Sequence, residues 1–154
     1  MKIRKATPKD AKRISTLRRQ TLEKINKNDY PKRALEFLKK KNSPKHVLKS
    51  LKKRKFFVLV ENNKILGCIE IDLKDYKIGG LYIDYRHLGK GYGWKLMQFI
   101  EKYAKSKKIK KVNLHPTKTA YKFYKKLGYK VTKRDIWVGP GFRAKSVTME
   151  KRLR

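Results

Sequence analysis

The chain has 154 residues, and 45 Lys and Arg stand against 12 Asp and Glu, a formal charge of +33. One domain spanning residues 1–154 is expected, long enough to bury its own core. No apolar run approaches the ~18 residues of a membrane span. The opening Met1-Lys2-Ile3-Arg4-Lys5-Ala6 lacks a hydrophobic signal region, so a cytoplasmic location is expected. The lone Cys68 excludes an internal disulfide and any cysteine-rich zinc site.

Lys2 to Ala6 reads as a short strand. Thr7-Pro8-Lys9-Asp10 is a helix start, with Thr7 as cap and Pro8 at the first helical position. Ala11, Ile14, Leu17, Leu22 and Ile25 follow at mostly helical spacing, with Arg18 as the polar exception. Pro31 and Ser43-Pro44 open two further short helices. Strands follow at Phe56–Val60, Ile65–Leu73 and Ile78–Asp84, the first two joined by an Asn62-Asn63 turn. Helical spacing resumes around Leu96, Met97, Ile100, Tyr103 and Ala104. A strand is expected at Ile109–Leu114 and a helix at Thr119–Leu127, stopped by Gly128. Two last strands, Tyr129–Val138 and Arg143–Arg152, are joined by Gly139-Pro140-Gly141. The order β-α-α-α-β-β-β-α-β-α-β-β predicts an α/β (α+β) fold whose mixed, mostly antiparallel central sheet carries helices on both faces.

The segment Leu81-Tyr82-Ile83-Asp84-Tyr85-Arg86-His87-Leu88-Gly89-Lys90-Gly91-Tyr92-Gly93-Trp94 carries a strand into a glycine-rich loop and then directly into a helix. Glycine lets the backbone approach a ligand closely. A helix start adds unpaired amides and the positive end of its dipole. Together they suit a pyrophosphate. No Gly-Lys-Ser/Thr follows, so this is not a P-loop, and Trp94 stands where a dinucleotide fingerprint would need glycine.

Leu81 to Met97 resembles the acyl-CoA-binding segment of the GNAT superfamily of N-acetyltransferases, which commonly reads Leu-Tyr-Val-x-Pro-x-x-Arg/Gln-x-x-Gly-x-Gly-x-x-Leu. Ala120-Tyr121-Lys122-Phe123-Tyr124-Lys125-Lys126-Leu127-Gly128-Tyr129 resembles the family's Ala-x-x-Phe-Tyr-x-Lys-x-Gly-Phe/Tyr helix. The likeness covers residues 56–130 well and the N-terminal third by architecture. It implies acetyl-CoA as cosubstrate, with the pantetheine along Leu81, Tyr82 and Ile83. The pyrophosphate would meet the amides of Leu88, Gly89, Lys90, Gly91, Tyr92 and Gly93 and the helix start at Trp94. Thr117, Tyr121 and Tyr124 complete the implied binding set. The resemblance also makes Tyr124 the general acid that protonates the departing thiolate, with a strand amide near Tyr82 or Ile83 meeting the thioester oxygen. In this register the family's Arg/Gln falls at Leu88, its proline at Tyr85 and its frequent Asn at Thr117, while Arg86 lies two residues early.

The group that deprotonates the acceptor amine stays open. Many members use a Glu on the strand leading into the loop, and that strand here has none. His115, just past the Ile109–Leu114 strand, Glu70 or Asp72 on one face of the neighbouring strand, and a water chain with no dedicated base are the alternatives. His46 and His87 are isolated, and nothing suggests a metal site. Cys68 reads as a small buried hydrophobe. The family architecture that the resemblance implies would set the hairpin tip Trp137-Val138-Gly139-Pro140-Gly141-Phe142 beside the acceptor site. The function read from all this is N-acetyl transfer to a protein N-terminus, a lysine or a small amine. The alternative is a GNAT-like protein that binds a polyanion (RNA, DNA or a ribosome) through its +33 surface with little or no catalysis.

Overall fold

The run Phe56-Phe57-Val58-Leu59-Val60 is apolar at every position because both faces of its strand are covered. A computed structural model describes residues 1–154. Phe56, Val58 and Val60 join one buried cluster, and Phe57 and Leu59 join another on the opposite side of the sheet. The elements are β1 (Lys2–Lys5), α1 (Ala11–Lys24), α2 (Lys32–Lys41), α3 (Pro44–Lys53), β2 (Lys55–Glu61), β3 (Lys64–Asp72), β4 (Lys77–Ile83), α4 (Tyr92–Ser106), β5 (Lys111–Leu114), α5 (Tyr121–Lys126), β6 (Lys130–Gly139) and β7 (Phe142–Arg152). They follow the order read from the sequence. The strands form one sheet in the order β1-β2-β3-β4-β5-β7-β6, antiparallel except for β4 beside β5.

Against one face pack α1 and α3, through Ala11, Ile14, Leu17 and Val47. Against the other packs α4, through Leu96, Met97, Ile100 and Ala104. The start of α1 is fixed as its sequence suggests. Asp10 accepts the Thr7 amide at 2.7 Å and receives both arms of the Arg4 guanidinium at 2.8 and 3.0 Å. Helix α2 leans on the β6–β7 hairpin through an aromatic cluster in which Trp137 meets Tyr30, Phe37 and Phe142.

Two irregularities open the sheet. In β4, Tyr82 stands opposite Cys68 and Gly79 opposite Glu70, so Gly80 and Leu81 together face Ile69 alone. This is a bulge, which bends its strand. Gly80 sits at φ +57°, and a side chain there would run into Arg18 and Glu70. The second is the β4–β5 seam, where pairing is confined to Lys77 opposite Asn113. Beyond that pair the strands part, and the edge of β4 is exposed inside a cleft.

Candidate active site

The cleft occupies about 470 Å³, a size that suits a small-molecule ligand. Its walls come from β4, the end of β5, the loop before α4, the start of α4, helix α5 and the turn after α1. At the foot lies the glycine-rich loop. Gly89 and Gly91 have φ of +77° and +79°, the left-handed region that disfavours a Cβ, and Gly91 caps α4. The first amide of this segment to find a backbone partner is that of Lys95, which donates to the Gly91 carbonyl at 3.1 Å. The amides from Leu88 to Trp94 therefore have no acceptor in the protein, and they sit at the positive end of a 15-residue helix. Gly93 serves packing, since a Cβ there would lie 3.4 Å from Phe123 of α5.

Arg86 takes no part in this cradle. Its guanidinium and amide hold the Asp84 carboxylate at 2.9 to 3.1 Å, and Arg13 of α1 adds a contact at 2.9 Å. The hydrogen bonds from Arg86 outweigh burial and keep the Asp84 carboxyl far below the usual range. The arginine thus fixes the exit of β4 rather than the glycine loop.

Of the residues the resemblance points to, Leu81, Tyr82, Ile83, Leu88, Gly89, Gly91, Tyr92, Gly93, Trp94, Thr117 and Tyr124 line the cleft. Lys90 and Tyr121 do not. Lys90 projects from the loop into solvent. Tyr121, one turn before Tyr124 on α5, opens instead on a separate recess with Lys125, Tyr129 and Arg134. Beyond Lys77 β4 has no ladder partner on β5, so that edge of the strand is free to pair with an extended ligand.

The ring of Tyr124 packs between Phe123 and Tyr129. The Tyr92 and Tyr129 hydroxyls are bound to Glu61 and Glu101. Those of Tyr124, Tyr82 and Tyr30 have no protein partner, and all three residues line the cleft. Burial raises each phenol, that of Tyr82 to about 12, so all three stay protonated at neutral pH.

His115 also lines the cleft. Its Nδ1 lies 3.1 Å from the Val147 carbonyl, a contact that places the ring proton on Nδ1 and leaves Nε2 with a lone pair. Burial lowers its pKa, the Val147 bond opposes this, and Lys77 lowers it further. The imidazole is therefore neutral at pH 7.

Glu70 requires a correction. It shares a face with Asp72, as two-residue periodicity indicates, but that face is already occupied. The Glu70 carboxylate, 3% exposed, is held by Arg18 at 2.8 Å and by Arg54. Arg54 also approaches Asp72 at 4.0 Å. Neither acid lines the cleft. Burial alone would raise the Glu70 carboxyl, and the two guanidiniums outweigh it to hold it low. A carboxylate so engaged is an anchor and a poor proton acceptor.

Arg18, read as the polar exception on α1, is the centre of this anchor. It also reaches the Asn42 side chain at 3.3 Å, Cys68 Sγ at 3.5 Å and the Gly80 carbonyl at 3.4 Å, and lies over the rings of Phe56 and Tyr82. It ties α1 to the bulge. Cys68 is buried, as expected, and burial raises its thiol. Trp137 does not line the cleft. It reaches the site only through Tyr30, a residue that sequence reading missed because it lies in a turn with no motif around it. The same turn crosses to the opposite wall, where Asp29 accepts the Thr119 amide and hydroxyl at 3.1 and 2.9 Å and the Asn26 side chain at 2.8 Å.

A strand edge left open above free helix-start amides suits an extended thioester joined to a diphosphate, the shape of an acyl-CoA. A family model described as an acetyltransferase (GNAT) domain matches residues 23–153, and the chain belongs to that family. It is an N-acetyltransferase with acetyl-CoA as cosubstrate. Among solved structures the chain is similar to a GCN5-related N-acetyltransferase from Rhodopseudomonas palustris, at TM-score 0.90 and 20% identity over 99% of this chain and 95% of that one. It is also similar to the PaiA N-acetyltransferase from Thermoplasma acidophilum in complex with coenzyme A, at 0.81 and 22% over 98% of each chain. A third is the aminoglycoside 6'-N-acetyltransferase from Enterococcus faecium, at 0.75 and 16% over 100% and 98%. No curated protein matches the chain. No helix is long and apolar enough to cross a membrane.

Proposed function

We propose that the enzyme acetylates a single amine on a peptide, an N-terminus or a lysine, whose neighbouring residues are neutral or acidic. The observation that carries this is the lining of the cleft, which includes no aspartate or glutamate. Asp29, beside Tyr30 in the turn after α1, is committed to Thr119 and Asn26. A polycation such as an aminoglycoside or a polyamine would find no counter-charge there, and it would approach a protein of charge +33 against long-range repulsion. A lone amine has what it needs in the open hydroxyls of Tyr30 and Tyr82 and in the ring faces beside them.

The proposed division of labour follows from the protonation states. Acetyl-CoA supplies a thioester carbonyl open to attack by a neutral amine. His115 Nε2, with its partner nitrogen fixed on Val147, accepts the proton from the acceptor, directly or through one water. Tyr124, protonated and unpartnered, donates its phenolic proton to the departing sulfur. The amides of Leu88 to Trp94 hold the diphosphate. Apolar walls at Ile78, Leu81, Leu114 and Phe123 keep bulk water from the thioester.

The test is thiol release from acetyl-CoA in the presence of matched acceptors: a peptide with an acidic N-terminal segment, the same peptide with lysines in place of the acids, and spermidine. kcat/KM should be highest for the acidic peptide and lowest for the polyamine, with the gap narrowing as salt rises. The reverse ranking contradicts the proposal.

A further inference from the structure

At the other end of the sheet from the cleft lies a second groove, of about 700 Å³. Lys105 comes from the end of α4, Lys111 opens β5, Lys130 opens β6, and Lys151, Arg152 and Arg154 close the chain. The only apolar residue in its walls is Leu153, and its two carboxylates are already engaged. Glu101 is held by Lys151 at 2.9 Å, and Glu150 by Lys111 at 3.1 Å. Lys105, Lys130 and Arg152 are exposed and have no ion-pair partner in the protein.

We propose that this groove binds the phosphodiester backbone of a nucleic-acid duplex without reading its sequence. Unpaired cations on several converging elements attract a polyanion and gain by releasing its counterions. The groove has none of the aromatic or apolar anchors that give a protein interface its affinity. It also has no apolar face to enter a lipid surface. With no aromatic side chain in its walls, it lacks the platforms on which unpaired bases stack, which favours duplex over single strand. Lys111 lies three residues before Leu114, which lines the cleft, so the two sites stand roughly 10 Å apart along one strand and face opposite ends of it. A duplex in the groove leaves the acetyl-transfer site open, and the proposal is independent of which amine that site accepts.

The experiment compares two triple variants with equal loss of charge. One is K105Q/K130Q/R152Q in the groove. The other is K49Q/K52Q/K53Q on α3, where all three lysines are exposed and unpaired. Fluorescence anisotropy measures binding of short labelled DNA and RNA duplexes, and of the matching single strand, across a salt series. Acetyl-CoA turnover with a free peptide confirms that both variants are folded. The groove triple is expected to lose roughly tenfold or more in duplex affinity at moderate salt, and its slope of log K against log salt to fall by about 2 to 3, as for three lost phosphate contacts. The α3 triple is expected to change little. The DNA and RNA arms identify which duplex is preferred. Equal losses in the two triples, tighter binding of the single strand, or displacement by polyglutamate as effective as by duplex would each overturn the proposal.

Discussion

Replacing Glu70 by Gln separates an anchor from a catalytic base. The substitution keeps the shape of the side chain and removes its charge, leaving Arg18 buried at 6% exposure without an ionic partner. Breaking a buried pair in this way costs about 3–5 kcal/mol. The Arg54 contact adds little, because that side chain is 44% exposed and solvent screens it. For a chain of this length the unfolding entropy is about 0.3 kcal/mol per kelvin, so the melting temperature should fall by about 9–15 °C. The pH dependence has a definite sign. The folded-state pKa of Glu70 lies below its ordinary 4.5, so its contribution to stability is present above that pH and disappears as pH falls through the folded value. The wild type should therefore lose stability more steeply than the Gln variant below about pH 4.5. Thermal melts followed by circular dichroism across pH, with kcat measured well below the melting point, provide the assay. Near-normal kcat with the lowered melting temperature is expected. A melting temperature within ~2 °C of wild type together with a hundredfold loss of kcat would refute the reasoning and return Glu70 to the mechanism.

Tyr124→Phe should lower kcat by roughly ten- to a thousand-fold, with unchanged coenzyme A affinity by calorimetry. Its melting temperature should hardly move, since the hydroxyl has no hydrogen bond to lose; undiminished turnover would remove Tyr124 from catalysis. For the wild type, kcat/KM should rise with pH through a group whose pKa is below 6.5, the direction in which burial and Lys77 shift His115. His115→Gln should abolish that limb and slow turnover by about a hundredfold, and a limb that persists in the variant points to a water chain instead. Gly91→Val places a β-branched residue at φ +79°, a strain of about 1–2 kcal/mol. The loop should relax it by misaligning its amides, weakening coenzyme A by roughly 5- to 30-fold; equal affinity would show that the turn is not what holds the diphosphate.

The sequence displays the parts of this molecule that depend on local periodicity. The element order, the two-sided burial of Phe56–Val60 and the glycine turn before α4 are each encoded in a short run of residues. The features it conceals depend on which surfaces meet. Glu70 and Asp72 share a face visibly, but that Arg18 and Arg54 already fill that face comes only from docking α1 and α3 against the sheet. Gly79-Gly80 hints at irregular backbone, yet the bulge becomes definite only with β3 alongside. Tyr121 and Tyr124 fall in one motif one helical turn apart, and only the surfaces packed around α5 decide that Tyr124 lines the cleft and Tyr121 a separate recess. Tyr30 enters the site from a turn about 90 residues away in sequence from the helix it faces, and no local pattern marks it.

The free amides before α4 are the groups expected to grip the diphosphate of coenzyme A. Backbone resonances of Gly89, Gly91 and Gly93, followed by NMR during titration with coenzyme A, test this most directly. Large saturating shifts in these amides are predicted, together with slowed hydrogen exchange. Saturation of binding with these three resonances unmoved, and shifts instead among the exposed lysines, would contradict it.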